Sequence, residues 1–229
     1  MPNYDEFVME PFYFPEFLQA DDQDEVAENR GAYRNTTNWC LFGEIVRIEL
    51  FTRLVLFCRD KRDFAFLVAF YPDGNAQVDP RPYKIGHTVA VLNTTTKRFL
   101  DGREGVRVEK LETCRAFPLK LADLYQMNTE LVKYTGGIDE QSGTRPCQAC
   151  GKEAQERKKC GGCGYYHYCD TVRYCRGAIL NVNADELQAC QKKAWEGKNH
   201  KKECKVLKNP NMRMLLNLKA ATQALRFTD

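Results

Sequence analysis

The sequence predicts a small β-barrel of five strands with a packing helix, then a compact cysteine-rich unit and a terminal helix. Two observations support this order. Stretches rich in β-branched and aromatic residues recur between residues 39 and 117. Eight of the 11 cysteines then fall between Cys147 and Cys204. A chain of 229 residues is long enough for one ordinary domain and a smaller second one.

The first segment, residues 1–33, is both acidic and aromatic. It contains nine acidic residues and one basic residue, with six Phe and Tyr residues between Tyr4 and Phe17. One interpretation is a solvated acidic tail. The other is a segment that folds back onto a basic face or docks on a partner. Because aromatic side chains avoid water, we expect this part to be covered.

Residues 34–134 predict the barrel and its helix. The first strand contains a glycine, and KIGHTV opens the fourth. Apolar residues spaced along 119–134 predict one or two helical turns packed on the barrel. The pattern resembles the OB-fold, a five-stranded Greek-key barrel. The predicted strands are 39–50, 54–60, 64–71, 87–95 and 106–117.

Composition sets the remaining boundaries. Glycine and polar residues predict a linker at 135–146. The cysteine-rich unit covers 147–208. Residues 209–229 are predicted to close the chain as a helix after Pro210, with a Met and Leu stripe for packing.

Two Cys-x2-Cys pairs begin the cysteine-rich unit: Cys147 with Cys150, and Cys160 with Cys163. Each pair has the spacing that places two thiolates on one metal ion. Scattered buried cysteines would not repeat this spacing, so a metal site is the favoured interpretation.

Further candidate ligands follow the two pairs. His200 and Cys204 are four residues apart, which puts them on one face of a helical turn. With the pairs they make six ligands, whereas two tetrahedral ions need eight. Three cysteines are candidates for the last two places: Cys169, Cys175 and Cys190.

Zinc suits this set of ligands. Thiolates with one imidazole form a borderline-soft shell, and structural zinc sites are closed and four-coordinate. Iron–sulfur clusters are disfavoured because a histidine accompanies the cysteines. A unit of about sixty residues with few large aliphatic side chains buries too little core to fold alone, so metal must stabilise it. We therefore predict two zinc ions per chain.

The motif CQAC…CGGCGYYHYC…CQKKAWEGKNHKKEC resembles a MYND-type zinc finger. Matching features are a Tyr before Cys169, the Cys190-Gln191 pair, Trp195 and the closing His-x3-Cys. The sequence departs from the family pattern in one place. Twenty residues separate Cys169 from Cys190, where the family has three.

Removing residues 171–187 restores the family spacing without other changes. This favours Cys190 as a ligand over Cys175, which lies inside the removed stretch. The insert is either a genuine loop or retained intron sequence.

The resemblance implies cross-braced ligation, although spacing alone also permits a sequential arrangement. One implied zinc site comprises Cys147, Cys150, Cys169 and Cys190. The other comprises Cys160, Cys163, His200 and Cys204.

The resemblance also implies a function. MYND-type fingers dock short proline-containing peptides of partner proteins, including those of transcriptional and other regulatory complexes. By resemblance Gln191 is a peptide contact, and Trp195 supplies an aromatic surface of the kind that proline rings favour. We expect no catalysis, because eight protein ligands leave neither ion an open position and the sequence has no Ser-His-Asp, P-loop or dinucleotide motif.

The alternative function is binding of single-stranded nucleic acid by the OB-like barrel and the lysine-rich face of the finger. Two observations weigh against it. Strand 64–71 is apolar on both faces, and the net charge is only +3.

The N-terminus lacks the features of a secretory signal, and no long apolar run predicts a membrane span. We therefore expect a nuclear or cytoplasmic protein with reduced cysteines and no membrane partner.

Overall fold

The structure is a computed structural model. It describes residues 5–10, 13–23, 38–74, 76–135, 145–154, 158–168 and 189–228. The chain forms two compact units. One, here called the sheet unit, contains Asp5–Gln126 and Met214–Asp229. The other, here called the cysteine unit, contains Met127–Arg213.

A mixed sheet of seven strands makes up most of the sheet unit, with the order β5-β6-β3-β2-β1-β4-β7. All pairings are antiparallel except that of β3 with β6, which is parallel. The strands are β1 Cys40–Leu50, β2 Leu54–Arg59, β3 Ala65–Phe70, β4 Thr88–Leu92, β5 Thr96–Arg98, β6 Glu104–Val108 and β7 Cys114–Phe117.

The first four predicted strands are present, whereas the predicted five-stranded barrel is present only in part, because the sheet does not close. The sheet is open, with β5 and β7 as its edges. Where the sequence predicted one strand at 106–117, a 3₁₀ turn at Leu111–Thr113 separates β6 from β7. The two halves pair with different neighbours, β6 with β3 and β7 with β4.

The core is built by side chains that alternate along the strands between a buried face and a more exposed face. In β2, Leu54, Leu56 and Cys58 are buried, whereas the intervening Val55 and Phe57 are half-buried. This period of two is that of a strand whose two faces differ. Other members of the core come from every strand except the edge strand β5, and they include Ile45, Val68, Val89, Val106 and Cys114.

The described part of the acidic segment folds back onto the sheet unit, as the second interpretation of residues 1–33 anticipated. The rings of Phe7 and Phe14 lie 5.1 and 5.7 Å from that of Phe42. Glu16 forms ion pairs with Arg62 at 2.7 Å and Lys61 at 3.5 Å. Burial of aromatic rings and ion pairs thus both hold the N-terminal segment against the sheet unit.

A buried carboxylate fixes the path of this segment. Asp60 accepts a hydrogen bond from the backbone N–H of Phe17 at 3.0 Å. It also accepts bonds from the N–H groups of Arg62 and Phe64, at 2.8 and 2.9 Å. The one side chain therefore orders the β2–β3 turn and ties the N-terminal segment to it.

The first helix, α1, spans Leu121–Thr135 and is longer than the one or two turns predicted. The carboxylate of Glu44 accepts a hydrogen bond from the N–H of Leu121, one of the N–H groups that the first turn leaves unpaired. Tyr125 packs edge-on against Phe42, at 6.2 Å. No helix among the described residues is long and apolar enough to cross a membrane.

The predicted C-terminal helix over 209–229 is largely wrong. A helix covers only Pro210–Leu215, followed by a 3₁₀ turn at Leu218–Ala220. The amide of Asn38 binds the next stretch, donating to the carbonyl of Gln223 at 2.8 Å and accepting from the N–H of Leu225 at 2.8 Å. These tertiary bonds outweigh the helix propensity of the stretch.

Short ladders and helices form the cysteine unit. The ladders pair β8 Arg145–Pro146 with β9 Glu153–Ala154, and β10 Lys158–Lys159 with β11 His167–Tyr168. Helices α2 Ala189–Gly197, α3 His200–Leu207 and α4 Pro210–Leu215 follow, the last ending in the sheet unit. The insert 171–187 and most of the predicted linker lie outside the described residues.

The role of Asp60 is testable by a matched pair of substitutions. Asp60→Asn replaces an acceptor by an amide that faces backbone donors, so it should lower the free energy of unfolding by about 1–3 kcal/mol. Asp63→Asn, at an exposed neighbour, should change it by less than ~0.5 kcal/mol. Urea denaturation followed by Trp39 fluorescence in a Trp195→Phe background measures both. Equal effects would contradict the role assigned to Asp60.

Candidate metal centre

Each Cys-x2-Cys pair lies at the tip of one short ladder, and the two tips share the same local geometry. The N–H of Gly151 donates to the carbonyl of Cys147 at 2.7 Å, and that of Gly164 to the carbonyl of Cys160 at 2.8 Å. Both glycines have positive φ, 74° and 77°. Glycine adopts this conformation without steric cost, so each loop can turn both thiols to one side.

One group of donor atoms joins the second loop to helix α3. Cys160, Cys163, His200 and Cys204 are all buried, and their donor atoms lie within 4.8 Å of one another. Helix α3 presents His200 and Cys204 on one face because they are four residues apart, as the sequence predicted.

The distances within this group fit a tetrahedral ion. The sulfurs of Cys160 and Cys204 are 3.8 Å apart. Zn–S bonds of about 2.3 Å at the tetrahedral angle give an S–S separation of about 3.8 Å. The Nε2 atom of His200 is 3.2 Å from the Cys160 sulfur. A metal ion of the size of zinc therefore fits between the four side chains.

Aromatic rings surround the imidazole of His200. Their centroids lie 4.3 Å away for Tyr166, 5.5 Å for Trp195 and 5.9 Å for Tyr168. Burial lowers the pKa of His200 to about 4, which keeps the ring in the neutral form that ligates metal. Its buried Nδ1 atom has no hydrogen-bond partner among the described residues.

The thiols of this group also favour a cation. Burial by itself would raise the pKa of Cys160, but hydrogen bonds from the backbone N–H groups of Cys163 and Gly162 outweigh it and leave the pKa below its usual value. Burial and the neighbouring thiolates raise the pKa of Cys204 to about 12. A divalent ion relieves this mutual repulsion, because it stabilises all the thiolates together.

The second group contains three described donors. The sulfurs of Cys147, Cys150 and Cys190 lie within 4.8 Å of one another. Cys147 is buried and Cys190 half-buried. Burial, followed by the charges of Cys147 and Cys150, raises the pKa of Cys190. Cys169 and Cys175 lie outside the described residues.

The two groups are interleaved along the chain. The first Cys-x2-Cys pair joins Cys190, and the second pair joins His200 and Cys204. A sequential arrangement would instead have brought the two pairs together. Each Cys/His group could hold one metal ion. His167 belongs to neither group.

The two predicted peptide contacts share a face of helix α2, four residues apart. Gln191 is exposed. Trp195 is 37% exposed while its ring edge contacts His200. Trp195 thus covers the metal-binding group with one side and faces solvent with the other.

Sequence reasoning missed two residues that support the site. The buried carboxylate of Glu203 accepts a hydrogen bond from the Tyr166 hydroxyl at 2.7 Å, which joins helix α3 to the second loop. The side-chain oxygen of Gln148 accepts a hydrogen bond from the His167 backbone N–H at 2.7 Å. The backbone carbonyl of Gln148 accepts one from the ammonium group of Lys198 at 2.9 Å. Neither role has a spacing signal, because both depend on tertiary placement.

Comparison with known proteins does not identify a family. No protein-family model matches the sequence, and no curated protein matches it. One solved structure it resembles is Schizosaccharomyces pombe Pot1pC bound to ssDNA, with 9% sequence identity and a TM-score of 0.30. The match covers 45% of this chain and 96% of that one. So loose a superposition establishes neither fold nor function.

Two adjacent glycines give a matched test of the metal centre. A Cβ atom on Gly162 would lie 2.8 Å from the Cys204 sulfur, whereas one on Gly161 would meet nothing within 4 Å. Gly162→Ala should therefore weaken metal binding about tenfold, and Gly161→Ala should leave it unchanged. Competition with a chromogenic zinc chelator measures both affinities. Equal affinities would contradict the placement of Cys204.

Proposed function

We propose that the cysteine unit is a MYND-type finger that holds two zinc ions and docks short proline-containing peptides of partner proteins. The interleaved donor groups carry this proposal. The resemblance implies two cross-braced sites. The described donors are grouped in the same way, the first Cys-x2-Cys pair with Cys190 and the second with His200 and Cys204.

Cys169 is the fourth ligand of the first site in this proposal. It follows Tyr168, whose strand β11 pairs with β10 beside the second loop. The chain then has to reach Cys190 at the start of helix α2, and the insert supplies the intervening length. A loop between two ligands costs little additional entropy when it is lengthened. Cys175 is the competing ligand.

The proposed role of zinc is structural. Four protein ligands at each ion leave no position for a water molecule or a substrate. The ions would instead hold the two loops and helices α2 and α3 as one rigid surface. Rigidity favours peptide docking because less conformational entropy is lost on binding. We accordingly assign the protein no catalytic activity.

The proposed docking surface is the face of helix α2 that carries Gln191 and Trp195. A half-exposed indole offers the flat apolar surface on which proline rings pack. The contact between Trp195 and His200 fixes the orientation of the indole. The exposed amide of Gln191 is available to bind the peptide backbone.

We infer further that the sheet unit has the strand topology of an OB-like barrel whose sheet is not closed by hydrogen bonds. Three pairings support this inference: the antiparallel β1–β2–β3 meander, the antiparallel pairing of β1 with β4, and the parallel pairing of β3 with β6.

Metal analysis of single variants tests the ligand assignment. The unmodified chain should contain two zinc ions, and Cys190→Ser and Cys169→Ser should each leave one. Cys175→Ser should retain both and serves as the matched control. If Cys175→Ser loses an ion and Cys190→Ser does not, Cys175 is the ligand and the assignment of Cys190 is wrong.

Peptide capture tests the function. The probes are synthetic peptides with prolines spaced one to three residues apart, each paired with a version in which alanine replaces proline. Trp195→Ala should weaken binding at least about thirtyfold, since an aromatic anchor that becomes buried on binding is worth about 2 kcal/mol or more. Gln191→Ala should weaken it less, and Lys193→Ala, at an exposed position of the same helix, should not.

Zinc content should stay at two ions in all three variants. Equal binding of the proline and alanine peptides, or full binding by Trp195→Ala, would contradict the proposal.

A further inference from the structure

Strand register places a basic and aromatic surface on the outward face of the sheet unit. On β2 and β3, Val55 is opposite Ala69 and Phe57 is opposite Leu67. Arg47 of β1 flanks Phe57, and Arg107 of β6 flanks Ala69. These residues alternate with the core residues of their strands, so they share the face that points away from the core.

This surface revises one argument from the sequence. The sequence shows β3 to be apolar on both faces, and on the outward face its Leu67 and Ala69 are only 6% and 4% exposed. However, the outward face carries arginine and aromatic side chains from neighbouring strands and turns. A strand that is apolar on both faces therefore does not exclude a basic surface.

Arginines lie over two aromatic rings on this face. The guanidinium carbon of Arg53 is 3.7 Å from the centroid of Tyr71, and that of Arg107 is 4.5 Å from it. The ring of Phe57 has Arg47 at 3.6 Å and Arg103 at 5.5 Å. Each aromatic ring thus has two planar cations beside it.

A groove of about 660 Å³ runs along this face. Five cations line it, against two carboxylates. Arg103 pairs with Asp101 and Arg107 with Glu109. The other three cations, Arg53, Lys97 and Arg98, make no ion pair within the described part of the chain. The groove therefore has a positive charge that the described residues do not neutralise.

Large apolar side chains project from the rim of the groove. Phe51, in the turn between β1 and β2, is 98% exposed, and Leu100 is fully exposed. Both line the groove. An aromatic ring held in water beside unpaired cations is costly to leave uncovered, which indicates a ligand with both apolar faces and negative charge.

We propose that this groove binds single-stranded nucleic acid. Phosphates would pair with Arg98, Lys97 and the ring-stacked arginines, and unpaired bases would stack on Phe51 and on the guanidinium planes. The proposal is independent of the finger, because every residue in it belongs to the sheet unit.

Single strands suit the groove better than the other polyanions. A duplex hides the faces of its bases within the stack, so the exposed Phe51 ring would gain nothing from it. An acidic peptide offers charge but no repeated planar faces. Salt dependence and competition separate these ligands.

The test uses the full chain and a fluorescently labelled oligothymidylate as probe, with binding measured by anisotropy. Phe51→Ala and Arg98→Glu should each weaken binding about tenfold, because both side chains are exposed and line the groove. The matched controls are Ile85→Ala, an exposed apolar residue outside the groove, and Lys201→Glu, an exposed cation on helix α3. Both controls should bind as the unmodified chain does.

A plot of log affinity against log salt concentration should have a slope of about −2 to −3, as for three or four phosphate contacts. Three results would overturn the proposal: no binding at low salt, equal affinities for groove variants and controls, or competition by duplex DNA or polyglutamate that equals competition by single strands.

Discussion

The crowding of thiols around an imidazole is the constraint on which the cysteine unit depends. Four donor atoms lie within 4.8 Å of one another in a buried group, and three more form a second group. Without a cation, burial and mutual repulsion raise the pKa of Cys204 and Cys190. Ladders of two residues and a few helical turns cannot offset this cost. Each group could hold a divalent ion, which would convert the repulsion into attraction.

The sheet unit depends on ordinary burial instead. Aromatic side chains of the N-terminal segment cover part of the sheet, and a buried carboxylate, Asp60, fixes the segment in place. Elsewhere, on the outward face of the sheet, arginine side chains stack on the rings of Phe57 and Tyr71. The same sheet therefore combines a region covered by aromatic side chains with a region where a groove is lined mainly by cations.

The sequence predicted which described Cys and His side chains come together, because metal ligation demands particular residue types at particular spacings. His200 and Cys204 lie on one helical face as expected, and Cys190 joins the first loop. The first four strands were predictable from their content of β-branched, apolar and aromatic residues. Tertiary contacts decided the rest. Asn38 holds residues 223–225 extended where propensity favoured a helix, and a 3₁₀ turn at Leu111–Thr113 divides the last predicted strand. No local pattern encodes the stacking of Arg47 and Arg103 on Phe57, because it requires the register of neighbouring strands.

Removal of metal tests the central claim most directly. Hydrogen exchange can be followed by mass spectrometry before and after exhaustive chelation, with the sheet unit as internal reference. The account predicts that protection of the described residues of the cysteine unit, 145–154, 158–168 and 189–207, is lost on chelation and recovered on addition of two equivalents of zinc. The protection of strands β1–β4 should be unchanged. If those residues of the cysteine unit stay protected without metal, the unit does not depend on ions and the account is contradicted.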